Sequence, residues 1–138
     1  MILFHKITKI INNFHIKMGC SSSSLVIPQT KFFKSDDEIK IFIDENSHVI
    51  YEPLNIKRRV GVIIYPGYKA NHKRYSNIAY NLGKNGYFTV LCSMPCSAAI
   101  LAPNRAAHIS ENYSVHVDKW VLGGHSLGKN IVDAAYFS

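Results

Sequence analysis

The residues of this chain best suited to chemistry are Gly124-His125-Ser126-Leu127-Gly128. A serine hydroxyl attacks acyl groups when it is held clear of the core, beside a base and beside donors for the developing oxyanion. Glycines two residues to either side remove side chains that would collide where a strand turns sharply into a helix. That setting is written in the flanking sequence. Val115 to Leu122 reads as an apolar strand, and Ile131 to Phe137 as an apolar helix beginning near Leu127. Ser126 is thus the candidate nucleophile, Gly124 and Gly128 are the residues that allow its turn, and the backbone N–H of Leu127 faces the oxyanion from the helix start.

A second oxyanion donor has to come from another strand end. Val60-Gly61-Val62-Ile63-Ile64-Tyr65 is nearly continuous β-branched apolar sequence, as expected of a strand covered on both faces, and Pro66-Gly67-Tyr68 stops it. The missing side chain of glycine lets backbone approach a substrate closely, so the N–H of Gly67 or of Tyr68 is the candidate.

The elements that must position these groups follow from periodicity. Lys40-Ile41-Phe42-Ile43 and Val49-Ile50-Tyr51 predict two short strands around the polar turn Asp44-Glu45-Asn46-Ser47. Tyr75, Ile78, Ala79 and Leu82 fall at i, i+3, i+4 and i+7, one face of a helix that Asn85-Gly86 ends. Tyr87 to Leu91 is a further strand, closed by Ser93-Met94-Pro95. Ala98 to Asn112 is helical, with a new turn at Pro103. Alternating strands and helices predict an α/β fold with a parallel sheet.

Composition bounds the alternatives. A length of 138 residues suits one domain, and 47% apolar with 18% charged residues is ordinary for a globular chain. The net charge of +7 is unevenly spread. Residues 1–34 hold five lysines and no acid, whereas residues 35–56 hold six acids and one lysine. No basic element interleaved with stacking aromatics occurs, which argues against a nucleic-acid partner. Cys20, Cys92 and Cys96 are an odd set without histidines at ligand spacing, so neither a disulfide framework nor a metal site is expected, and no cofactor is implied. Cys92 and Cys96 read as small buried side chains.

Residues 1–34 form a separate segment, ahead of a domain over 35–138. Leu3, Ile7, Ile10, Phe14 and Met18 recur at helical spacing, with Lys6, Lys9, Asn12, Asn13 and Lys17 on the other faces. A basic amphipathic helix of this kind can lie on an anionic membrane surface, but its apolar runs are too short to span one. Met18-Gly19-Cys20 and four serines follow. They read as a flexible linker or as an acylation site, with Gly19 open to myristoylation if translation starts at Met18 and Cys20 open to palmitoylation. Location is left between cytoplasmic and peripherally membrane-attached.

Beyond these separate features lies an ordered resemblance. Tyr65-Pro66-Gly67, Tyr75, Gly86-Tyr87, Met94-Pro95, Leu101-Ala102-Pro103-Asn104 and Lys119-Trp120-Val121-Leu122-Gly123-Gly124-His125-Ser126-Leu127-Gly128 together resemble α/β-hydrolase-fold proteins of esterase or lipase type, across about residues 36–138. The resemblance implies that Ser126 is the nucleophile and the substrate a small ester-like molecule. Lys129 departs from it, standing where the family usually has glycine.

In that family the acid and histidine of the triad follow the serine along the chain. Here only twelve residues follow Ser126. Asp133 is the one acid among them, in the predicted helix, and none is histidine. His5, His15, His48, His72, His108, His116 and His125 all precede it, and of these only His72 shares a loop with a proposed oxyanion donor. The expected fold is therefore an α/β-hydrolase sheet truncated after the nucleophile turn, inactive unless a downstream fragment supplies acid and histidine.

Overall fold

A computed structural model describes residues 30–55, 59–67, 71–93 and 104–124 of the chain, without the side chains of Thr30, Lys31 and His72. Among the described residues, five strands and two α-helices occur in the order β1 (Ile39–Ile43), β2 (Val49–Pro53), β3 (Val60–Tyr65), α1 (Ser76–Lys84), β4 (Phe88–Leu91), α2 (Arg105–Asn112) and β5 (Lys119–Gly124). Short 3-10 turns precede β1, at Thr30–Phe33, and α1, at His72–Tyr75. The predicted amphipathic helix of residues 1–18, Gly19, Cys20, Cys96 and the helix of residues 131–137 lie outside the described residues.

One sheet carries all five strands, in the order β1-β2-β4-β3-β5. β4, β3 and β5 run parallel, and β2 joins β4 antiparallel as the inner arm of the β1–β2 hairpin. The hairpin turn is closed by Asp44, whose Oδ1 accepts the backbone N–H groups of Asn46 and His48, with Ser47 at φ 63°. A short polar side chain bonding to backbone two residues on is what makes Asp favourable there.

Side-chain alternation sorts the sheet into two cores. Val62, Ile64, Leu91, Val49 and Tyr51 face α1, meeting Ile78, Ala79 and Leu82. Ile63, Tyr65, Phe88, Val90 and Ile50 face α2, meeting Ile109 and, from the loop before β5, Val117. The helix stripe predicted at Tyr75, Ile78, Ala79 and Leu82 is buried throughout, and Ile78 and Leu82 each contribute about 1.5–3 kcal/mol through area removed from water. α1 stops where the chain must take a left-handed residue. Gly86 sits at φ 84°, its N–H reaches the Gly83 carbonyl at 2.8 Å, and the Tyr87 N–H reaches that of Leu82 at 3.1 Å.

The last strand begins later than its apolar pattern predicts, at Lys119 rather than Val115. Val115 is 77% exposed. Arg59 holds the chain off the sheet through this stretch. Its guanidinium donates to Asp118 at 2.8 Å and to the Val115 carbonyl at 3.1 Å, while its own carbonyl accepts from the N–H groups of Asp118 and Lys119. Ladder pairing starts only where Lys119 meets Val60.

Candidate active site

The connections β3–α1–β4 and β4–α2–β5 travel in opposite directions along the sheet, and their helices cover opposite faces, as right-handed crossovers require. The strand order therefore reverses between β3 and β5. In open α/β sheets a crevice forms at such a reversal, outside the carboxyl ends of the strands, and ligands bind there. Here the last rung of the ladder pairs Tyr65 with Gly124. Gly67 and Ser126, each two residues further along the sequence, thus follow directly from adjacent strand ends. Ser126, Leu127, Gly128 and Tyr68 lie outside the described residues, as do Asp133 and His125.

Gly67 is described, and its amide is already engaged. The buried Gly67 N–H donates to Tyr75 Oη at 3.2 Å. One amide carries one proton, so of the two alternatives after β3 this group is committed to the protein. Tyr75 is itself 5% exposed, and burial raises its phenol above the usual tyrosine value, leaving a neutral hydroxyl as acceptor.

A second tyrosine fixes the other side of the same turn. Tyr65, at the end of β3, is 1% exposed, and its Oη accepts the Ala106 N–H in the first turn of α2 at 2.9 Å. The four leading N–H groups of a helix need such partners, and Asn104 gives α2 no side-chain cap. Burial above all, with the Cys92 thiol adding to it, pushes the Tyr65 phenol up to about 12, so it stays neutral.

Two strands away, the carboxyl edge is lined by a histidine. His48 precedes β2, is 3% exposed, and accepts the Ser93 N–H on Nδ1 at 2.9 Å. Burial lowers its pKa, with the nearby Arg105 charge adding to the effect and Asp44 opposing it. A neutral ring bonded in this way carries its proton on Nε2. Asp44 also accepts from Tyr113 Oη at 3.1 Å, linking the hairpin turn to the end of α2.

His48 and His116, two of the described histidines, both stand away from the carboxyl ends of β3 and β5. His48 lies beyond the start of β2, three strand spacings or about 14 Å from β5. His116 stacks on Phe88 and lies 3.7 Å from Glu52, near the opposite edge of the sheet. Cys92 is fully buried, and burial pushes its thiol up to about 12, which makes it a packing residue and not a nucleophile. Among the described residues no group of three or more His, Cys, Asp or Glu side chains converges on a metal-sized site, and no helix is long and apolar enough to cross a membrane.

The sequence marks the end of β3 and the glycines but assigns no hydrogen bond to Tyr65, Tyr75 or His48. Tyr75 stood in the sequence as an apolar member of a helix stripe and as one point of the family resemblance, with no role for its hydroxyl. Tyr65 stood as the last residue of a hydrophobic run, and nothing in the pattern pointed to either hydroxyl.

Comparisons with curated proteins and with solved structures gave no match to the chain. The model of the alpha/beta hydrolase family matches residues 61–137, which span β3 through the Gly-x-Ser-x-Gly segment and beyond. With more than half its length matched, and a sheet whose parallel strands reverse order beside the last rung of β3 and β5, this chain belongs to the alpha/beta hydrolase family.

Proposed function

We propose that the chain is a serine hydrolase of the carboxylic-ester type, with Ser126 as nucleophile and the backbone N–H groups of Leu127 and Tyr68 as oxyanion donors. The observation that carries this reading is the pairing of Tyr65 with Gly124 at the carboxyl end of the parallel strands. It sets the ends of β3 and β5 side by side where this sheet type binds ligands, and in the sequence the candidate groups follow those two ends directly. Tyr68 is preferred to Gly67 because the Gly67 proton is held by Tyr75.

The chemistry expected is addition of the Ser126 oxygen to an ester carbonyl, with the negative charge gathering on the carbonyl oxygen between two amides. The serine proton has to pass to a base and on to the leaving alcohol. Labelling or turnover at Ser126 depends on the acid and histidine of the triad, which in this family follow the serine along the chain.

A fluorophosphonate probe tests the assignment, because it reacts at an activated serine. The chain, alone or mixed with a segment carrying the acid and histidine, labels at Ser126 and not in the Ser126→Ala variant. Failure to label under both conditions removes the proposed nucleophile.

A further inference from the structure

The turn that follows β3 is tied to both faces of the sheet. On the α2 side the tie is the Tyr65 side chain at Ala106, and on the α1 side it is the Gly67 amide at Tyr75. Pro66 has no N–H, so Gly67 offers the first backbone proton after the strand. That amide is buried, and a buried N–H without a partner is costly, so whatever accepts it dictates the path of the chain.

We propose that Tyr75 is a positioning residue for the oxyanion site: by accepting the Gly67 proton it holds the backbone at Gly67, the residue before the proposed donor Tyr68. The inference rests on the reading of Ser126 given above.

Three observations support the role. Tyr75 ends the 3-10 turn leading into α1, and its ring packs in the core with Val62, Ile64 and Ile78, so the acceptor oxygen is held by the scaffold. Its hydroxyl reaches backbone eight residues earlier, which a residue serving only to fill the core would not need to do. A neutral phenol at this depth keeps the same hydrogen-bonding character through the neutral pH range. In this role Tyr75 acts on the backbone at Gly67. Its influence passes through Gly67 to the amide beyond.

Tyr75→Phe keeps the ring and removes the acceptor. Tyr80→Phe is the matched control, since Tyr80 lies on α1 and spends its hydroxyl on Asp36 at 2.7 Å. Labelling of Ser126 by a fluorophosphonate is followed under the condition in which the unmodified chain reacts, with amide exchange at Gly67 read in parallel.

The expected result is a labelling rate lower by about tenfold or more in Tyr75→Phe at unchanged probe affinity, with Gly67 exchange accelerated and Tyr80→Phe matching the unmodified chain in both. Labelling that is unaffected in Tyr75→Phe overturns the inference while leaving Ser126 as nucleophile. An unmodified chain that never labels removes the reading and this inference with it. Should Tyr75→Phe not fold, the unmodified chain still decides: a Gly67 amide that exchanges as fast as open loop shows that the bond to Tyr75 is not held and overturns the proposal.

Discussion

Gly61 and Trp120 face each other across β3 and β5, and the indole fills the space that a side chain at Gly61 would need. A Cβ at Gly61 would lie 2.4 Å from Trp120 Cζ3. The same indole meets the edge of Phe88 with ring centroids 6.1 Å apart, so it cannot swing away without disturbing the α2 core.

Gly61→Ala should therefore destabilise the chain by about 1–3 kcal/mol, the usual cost of overpacking. Denaturant unfolding monitored by the fluorescence of Trp120, the single tryptophan, measures both the loss and any shift in its environment. An unchanged midpoint would mean that the indole does not rest on Gly61.

Stability should fall as the pH drops below about 6.5. His48 has its folded-state pKa below the ordinary 6.5, because burial disfavours the charged ring. The unfolded chain therefore binds a proton that the folded chain refuses. The contribution is complete above pH 6.5 and is lost progressively as the pH falls towards the lowered value. His48→Asn, which keeps an acceptor near the Ser93 N–H but does not titrate, should flatten this part of the profile in denaturant titrations between pH 5 and 8.

Asp36 ties the segment before β1 to α1. Its Oδ1 accepts the N–H groups of Glu38 and Ile39, and its Oδ2 accepts from Tyr80 Oη and from Lys84, which also pairs with Glu38. Asp36→Ala should cost about 1–2 kcal/mol through these lost bonds. The Tyr80 hydrogen bond is the main reason its carboxyl lies below the usual value, so this contribution persists down to pH 3.8 and disappears only under more acidic conditions. Urea titration at pH 7 and pH 3 checks both statements.

Cys92 should resist thiol reagents in the native chain and react once it unfolds. Its side chain is fully buried and its thiol is pushed up to about 12, so thiolate is scarce and out of reach. Timed alkylation with and without denaturant, followed by peptide mapping, separates Cys92 from Cys20 and Cys96.

Apolar periodicity made β3, β4 and the buried stripe of α1 legible, because Val62, Ile64, Ile78 and Leu82 are placed by burial alone. Glycine at 86 marked the helix end for a reason visible in any sequence, its tolerance of positive φ. The start of β5 was misplaced because Val115 and Val117 continue the alternation of a strand, whereas a guanidinium 56 positions earlier controls the backbone there. The hydrogen bonds of Tyr65 and Tyr75 could not be read at all. Both residues count as apolar in a pattern, and a partner such as Ala106 is set by tertiary placement that no local spacing encodes. Strand order was equally hidden, so the neighbourhood of the Gly67 and Ser126 segments became visible only through the Tyr65–Gly124 pairing.

The backbone at Pro66–Gly67 is tied on one face of the sheet through Tyr65 and on the other through Tyr75, so two phenols of the scaffold share in fixing its position. Substitutions in the loop after Gly67 that leave the Tyr75 bond intact should keep this anchor point, which gives a designer one coordinate from which to vary that loop.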